Sequence, residues 1–129
     1  MSNSEHTLKK RSTEITQQYL DFLDQHIEAV LNGHTPEFME LNQIARELAV
    51  SHKHLTDTVQ KEKGHHPCYF YDAKIIDKAK ALLTDPQLSI AHIALTLTYD
   101  PSNFSKFFKK WTGTTPGQFR AAIRNKTVG

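Results

Sequence analysis

"DPSNFSKFFKKWTGTTPGQFR" (residues 100–120) decides how the rest of the chain folds. Asp100 or Ser102 can cap a helix. Pro101 is tolerated in a first turn, because the N–H it lacks has no helical partner there. Phe104, Phe107, Phe108 and Trp111 then recur at helical spacing and form one apolar face. Gly113 stops that helix, and Pro116 opens another. Phe119 follows three residues later and can pack back on the helix just completed.

The same phrase occurs 49 residues earlier. "GHHPCYF" (residues 64–70) has the Gly, Pro and Phe spacing of "GTTPGQF" (residues 113–119). At this offset Ile44 and Ala45 meet Ile93 and Ala94, Leu48 meets Leu97, Leu55 meets Phe104, Val59 meets Phe108, and Lys61 meets Lys110. Apolar and turn residues match, and these determine a backbone. One supersecondary unit is therefore present twice. Two copies are too few for a solenoid.

Each unit reads as a short helix, a tight turn and a second helix. In the first, Leu41, Ile44, Ala45 and Leu48 keep helical spacing, Ser51 caps the next helix, and Gly64 ends it. In the second, Ser89 caps a helix carrying Ile90, Ile93, Ala94 and Leu97. Small Ala45 and Ala94 fall where two helices would cross closely. This is the helix-turn-helix pattern. A linker helix from Pro67 to about Leu83, with Ile75, Ile76, Ala79, Leu82 and Leu83 on one face, lies between the copies. At about 1.5 Å per residue its length is roughly 25 Å.

"IARELAVS", the following Leu, Gly, Pro and Phe, Ala79 with its Leu-Leu, and "SIAHIA…DPSNFSKFFKKWTGTTPGQFR" resemble the DNA-binding domain of the AraC/XylS family of bacterial transcription regulators. The resemblance covers about residues 41–124. It implies two helix-turn-helix subdomains joined by a linker helix, with their second helices in successive major-groove segments on one face of the DNA. The chain departs from the family pattern at four places. Thr98 stands where Gly is usual, and because Thr resists positive φ the second turn is expected to be built differently. Asp57 stands where the family often has Arg, and Ile75 stands near another such Arg. The first 40 residues are too few for the usual sensor domain.

The reading helices should present outward residues of their N-terminal halves to base edges. In the first copy these are His52, Lys53 and Thr56; in the second, Ser102, Asn103 and Lys106. Lys can donate to guanine O6 or N7, and Asn can pair with adenine. Asp57 occupies the place of Lys106, where an acid repels phosphate but can accept from cytosine N4. Phosphate contacts are expected from Lys109, Lys110 and Arg120, with Ser89 and Thr115 offering helix N-termini. For each Lys the alternative is plain solvation.

Charge supports a polyanion partner. Residues 1–40 carry three Lys or Arg against seven Asp or Glu, a balance of −4, whereas residues 86–129 carry six against one, a balance of +5. His52, His54, His65, His66 and Cys68 lack metal-ligand spacing, so no metal or other cofactor is expected. No phosphate loop or catalytic arrangement is visible, so the chain is not read as an enzyme. With Cys68 alone, no intramolecular disulfide can form. No apolar run suggests a signal peptide or membrane span, and a cytoplasmic, nucleoid-associated protein is expected.

Ile15, Tyr19, Phe22, Leu23, Ile27, Val30 and Leu31 make an apolar stripe over about Thr13–Asn32. It either covers the first subdomain or serves as a dimerisation or partner helix. "NGHTPEF" (residues 32–38) then reads as a turn.

The expected fold is all-α: two helix-turn-helix subdomains joined by a linker helix, with an extra N-terminal amphipathic helix. Its parts are residues 1–40, tail and amphipathic helix; 41–66, first helix-turn-helix; 67–85, linker helix; and 86–129, second helix-turn-helix with a C-terminal helix. The expected function is sequence-specific reading of double-stranded DNA, with RNA polymerase as a further partner and a homodimer through the N-terminal helix. The alternative is a protein-interaction module that keeps the fold while DNA reading is weak or lost.

Overall fold

The computed structural model describes residues 2–128, with side chains over residues 11–125; Met1 and Gly129, the ends of the expected tail and C-terminal segment, lie outside them. Among the described residues the chain is all helical: α1 (Ser2–Leu31), α2 (Leu41–Glu47), α3 (His52–Lys63), α4 (Pro67–Leu83), α5 (Ile90–Thr96), α6 (Pro101–Thr112) and α7 (Pro116–Val128). By its internal contacts the chain forms two compact units. One combines the residues up to Glu28 with Phe38–Asp72; the other combines Ala29–Glu37 with the residues from Ala73 on. The border therefore cuts through α1 and α4 instead of falling between elements.

Caps fix the helix ends where the sequence placed them. The Ser51 side chain accepts from His54 N at the start of α3, and Ser89 accepts from His92 N at the start of α5. Asp100, not Ser102, caps α6, accepting from the N–H groups of Ser102 and Asn103. Gly64 (φ 80°) and Gly113 (φ 85°) end α3 and α6 in the left-handed region, which glycine adopts without a Cβ clash. Glu40 and Gln43 form a reciprocal capping box at α2.

In the first unit, Ile44, Ala45, Leu55 and Val59 are buried, together with Ile15, Tyr19, Leu23 and Ile27 of α1. The Tyr19 hydroxyl donates to the Pro67 carbonyl at 2.9 Å, tying α1 to the start of α4. Burial pushes the Tyr19 phenol well above its usual range, so it stays protonated and can donate. The apolar stripe of α1 thus covers its own chain. The helix also begins earlier than about Thr13. Residues 2–12 contain neither Gly nor Pro, so nothing there breaks it.

In the second unit, Ile75, Ile76, Ala79 and Leu83 of α4 are buried, as are Ile93, Ala94, Leu97, Phe104 and Phe108. Leu82 is only half-buried. Phe119 meets Phe108 edge-on at 5.5 Å, closing the unit as its place after Pro116 suggested.

Candidate nucleic-acid interface

The turn between the two helices of each unit aims the second helix. In the first unit Leu48 N donates to Ile44 O, Ala49 N to Arg46 O, and Val50 N to Ala45 O. In the second, Leu97 N donates to Ile93 O, Thr98 N to Leu95 O, and Tyr99 N to Ala94 O. These three bonds correspond at the 49-residue offset. Ala49 (φ 59°) and Thr98 (φ 62°) both occupy the left-handed region. The expectation that Thr98 forces a different turn is therefore corrected. Its neighbours, buried Leu97 and the Tyr99 N–H, hold the backbone in place, at a cost of roughly 1–2 kcal/mol for a residue with a Cβ. Tyr99 then stacks on Phe107 at 5.3 Å and braces the start of α6.

On α6, buried Phe104 and Phe108 define the inner face, which leaves Ser102, Lys106 and Lys109 along the opposite, exposed line. Asn103 and Lys110 are exposed on its flank. The Ser102 hydroxyl donates to Asp100 Oδ2 at 2.6 Å, so it offers lone pairs outward and not its proton. Asp100 itself is held below the usual carboxylate range, first by that hydroxyl and then by the Asn103 N–H. Three lysines and no carboxylate lie on this helix.

On α3 the same outer line holds Lys53, Asp57 and Gln60, all exposed. Lys53 Nζ lies 3.4 Å from Asp57 Oδ2, an i, i+4 pair at the surface. His52 is exposed at the first helical position, and Thr56 is half-buried on the flank. Two residues absent from the sequence expectation share this surface. Gln60 matches Lys109 and His54 matches Asn103 at the 49-residue offset. Extending that register through the reading helices would have found both.

The expected phosphate contacts separate in space. Lys109 and Lys110 are exposed on α6. Ser89 is exposed, but its oxygen is occupied by the His92 N–H. Thr115 forms a reciprocal cap with Gln118, which takes up its N–H. Arg120 is turned inward: Nε donates to Leu83 O at 3.1 Å and Nη2 to Asp85 O at 3.2 Å. Its guanidinium serves the carbonyls at and beyond the end of α4, where a cation also meets the negative end of the helix dipole. Half-buried Trp111 and buried Phe104 and Phe108 belong to the packing, not to an exposed stacking surface. No group of three His, Cys, Asp or Glu side chains that could hold a metal exists among the described residues.

A "Helix-turn-helix domain" family model matches residues 44–122. The ornithine utilization regulator of Pseudomonas aeruginosa is 37% identical over 89 residues, covering 67% of this chain and 25% of that protein. Among solved structures, the C-terminal domain of AraT, a response regulator from Geobacillus stearothermophilus, superposes with a TM-score of 0.72 at 27% identity, covering 84% of each chain. A transcriptional regulator with an AraC-type DNA-binding domain from Chromobacterium violaceum has the same fold, with a TM-score of 0.70 at 21% identity over 87% of this chain and 94% of that one. The chain spans 14–36% of the length of the first curated relatives it matches. No described helix is long and apolar enough to cross a membrane. With two matching helix-turn-helix units and a family model across more than half its residues, the chain belongs to the AraC/XylS family of helix-turn-helix proteins.

Proposed function

We propose that this protein regulates transcription by binding double-stranded DNA sequence-specifically, with α3 and α6 each entering the major groove. The outward line of α6 carries this reading: Ser102, Lys106 and Lys109 are exposed together on a helix that bears no acid. Lys106 is assigned to guanine and Asn103 to adenine, while Ser102 accepts from a base amino group. Lys109 and Lys110 hold phosphates, and Ser89 and Thr115 lie beside the backbone at helix starts. On α3, His52, Lys53 and Thr56 are the base-facing residues. Asp57 holds Lys53 in an ion pair that must open before Lys53 can reach a guanine. Arg120 serves the reader indirectly, by fixing α7 against the end of α4.

RNA polymerase is a further partner in this proposal, in the cytoplasm. A homodimer through the apolar stripe of α1 is not favoured, because that stripe is buried within the chain. The exposed Lys53–Asp57 pair is the one observation on which a protein-interaction module with weakened DNA contact would rest, and the match to the helix-turn-helix family model does not favour that reading. Duplex affinity measured across a salt series separates the two. A DNA reader loses affinity linearly in log–log form, with a slope set by the phosphates neutralised. A flat, weak response would leave the interaction module.

A further inference from the structure

His26 lies on the buried stripe of α1, only 6% exposed. Its Nε2 accepts a hydrogen bond from the Met39 backbone N–H at 2.9 Å. An imidazole that accepts at Nε2 is neutral and carries its proton on Nδ1. Phe22 stacks on the ring at 5.8 Å, while Phe38 and Tyr71 meet it edge-on at 5.9 and 6.4 Å. The Tyr71 hydroxyl in turn donates to the Met39 carbonyl at 3.0 Å. One residue of the connecting segment is thus held by both its N–H and its C=O. Met39 precedes Glu40, which caps α2, the first helix of the first helix-turn-helix. All these groups belong to one compact unit.

We propose that His26, backed by Tyr71, is a proton-sensitive latch on Met39: protonating the imidazole turns its acceptor into a donor, expels the Met39 N–H and loosens the start of the first helix-turn-helix. The surroundings offer little to stabilise the cation. On α1, Asp24 and Glu28 are two residues away on either side and exposed, so they face other directions. In the connecting segment, Glu37 and Glu40 are exposed, and Glu40 is committed to its capping box. From α4 the Tyr71 ring meets the imidazole edge-on, and its hydroxyl is already donating to the Met39 carbonyl. Burial among these rings pulls the His26 pKa below the ordinary histidine value. A lowered pKa means that the unfolded or opened state takes up the proton first. The latch is complete above about pH 6.5 and is lost as pH falls through the lower folded value.

The consequence for DNA rests on the proposed function: on acidification the first unit should lose its hold while the second keeps its own. The test begins without DNA. Amide hydrogen exchange of the whole protein is followed from pH 8 to 5, corrected for intrinsic exchange rates, in wild type, His26→Gln and Tyr71→Phe. Glutamine can accept from the Met39 N–H but does not titrate. The opening equilibrium at Met39 and the start of α2 should rise in wild type by up to tenfold per pH unit below about 6.5. His26→Gln should flatten that rise. Tyr71→Phe should lower protection throughout and keep the pH dependence. Equal slopes in wild type and His26→Gln would overturn the latch. If His26→Gln fails to fold, the wild-type imidazole nitrogen resonances decide. Nε2 protonating in step with loss of Met39 protection supports the latch, and protonation with Met39 still protected refutes it. A final arm measures duplex affinity at pH 7.5 and 5.5 in wild type and His26→Gln. His52 and His54 act equally in both proteins, so the difference isolates His26. Failure of this arm alone would count against the DNA reading and leave the latch standing.

Discussion

Helices α3 and α6 are twelve residues each, begin behind a side-chain cap and end on a left-handed glycine. Their inner faces repeat, Leu55 and Val59 in one and Phe104 and Phe108 in the other. Their outer faces do not. Where α6 has exposed Lys106, α3 has Asp57, and that carboxylate pairs with Lys53 of the first turn. Three lysines stand alone on α6, whereas α3 mixes three lysines with Asp57 and Glu62. The lesson concerns what each face must satisfy. Inner positions answer to packing, where losing a methylene is felt at once. Outer positions answer only to water and to whatever binds there, so one scaffold carries two unlike outer faces.

The largest effects should come from the shared inner face. Phe108→Ala removes a fully buried ring and should cost about 3–5 kcal/mol in denaturant or thermal unfolding. Val59→Ala, its counterpart, loses two methyl groups and should cost roughly 2 kcal/mol. Equal losses would contradict the expectation that the larger buried ring contributes more to its unit than its aliphatic counterpart.

The outer faces come next. Lys106→Ala should weaken specific duplex binding by about 1–3 kcal/mol in a fluorescence titration. Asp57→Lys should act in the opposite direction, freeing Lys53 and steepening the salt slope by about one. Its effect on stability should stay within about 0.5 kcal/mol, because the lost ion pair is solvent-exposed. If Asp57→Lys weakens binding, Asp57 is itself a base contact and the two halves are better matched than proposed.

The caps should differ in their response to acid. Ser51→Ala should cost about 1 kcal/mol at neutral pH, and Asp100→Ala should destabilise in the same direction. The Asp100 contribution is also proton-linked. Its pKa is lowered in the fold, so its stabilisation is present above the ordinary value of about 3.9 and lost as pH falls below it. Thermal scans between pH 6 and 3 should show Asp100→Ala converging on wild type, while the Ser51→Ala difference persists.

The turns give the smallest signal, and it should stabilise. Thr98→Gly relieves a β-branched residue at φ 62° and should add about 1 kcal/mol, less the entropy glycine brings to the unfolded chain. Ala49→Gly should add less, since Ala lacks the branch. A Thr98→Gly variant less stable than wild type would mean that the threonine makes contacts outweighing its strain.

The sequence made the paired units legible because caps, stop glycines and apolar spacing are local signals that agreed in both copies. Thr98 was misread for the opposite reason: its own preference opposes the turn, and only the packing of Leu97 and the bonding of Tyr99 override it. The bonds of Arg120 were not legible, because sequence shows its charge but not its direction. The fold aims it at Leu83 O and Asp85 O. His26 sits three residues after Leu23 on the α1 stripe, so its burial could have been read. Its partner Met39 could not, because a contact across a turn depends on how the segment returns. Lys106, Asn103 and Lys109 were placed outward by periodicity alone, and the structure exposes them there.

In the proposed function, two copies of one scaffold read DNA unequally, with α6 dominant. Selection of bound sequences from random duplex DNA, with wild type and Lys106→Ala in parallel, tests it most directly. The account predicts that wild type enriches a site with one strong and one weaker block, and that the variant loses the strong block while the weaker one survives. No enrichment by wild type, or a variant that keeps every block, would contradict it.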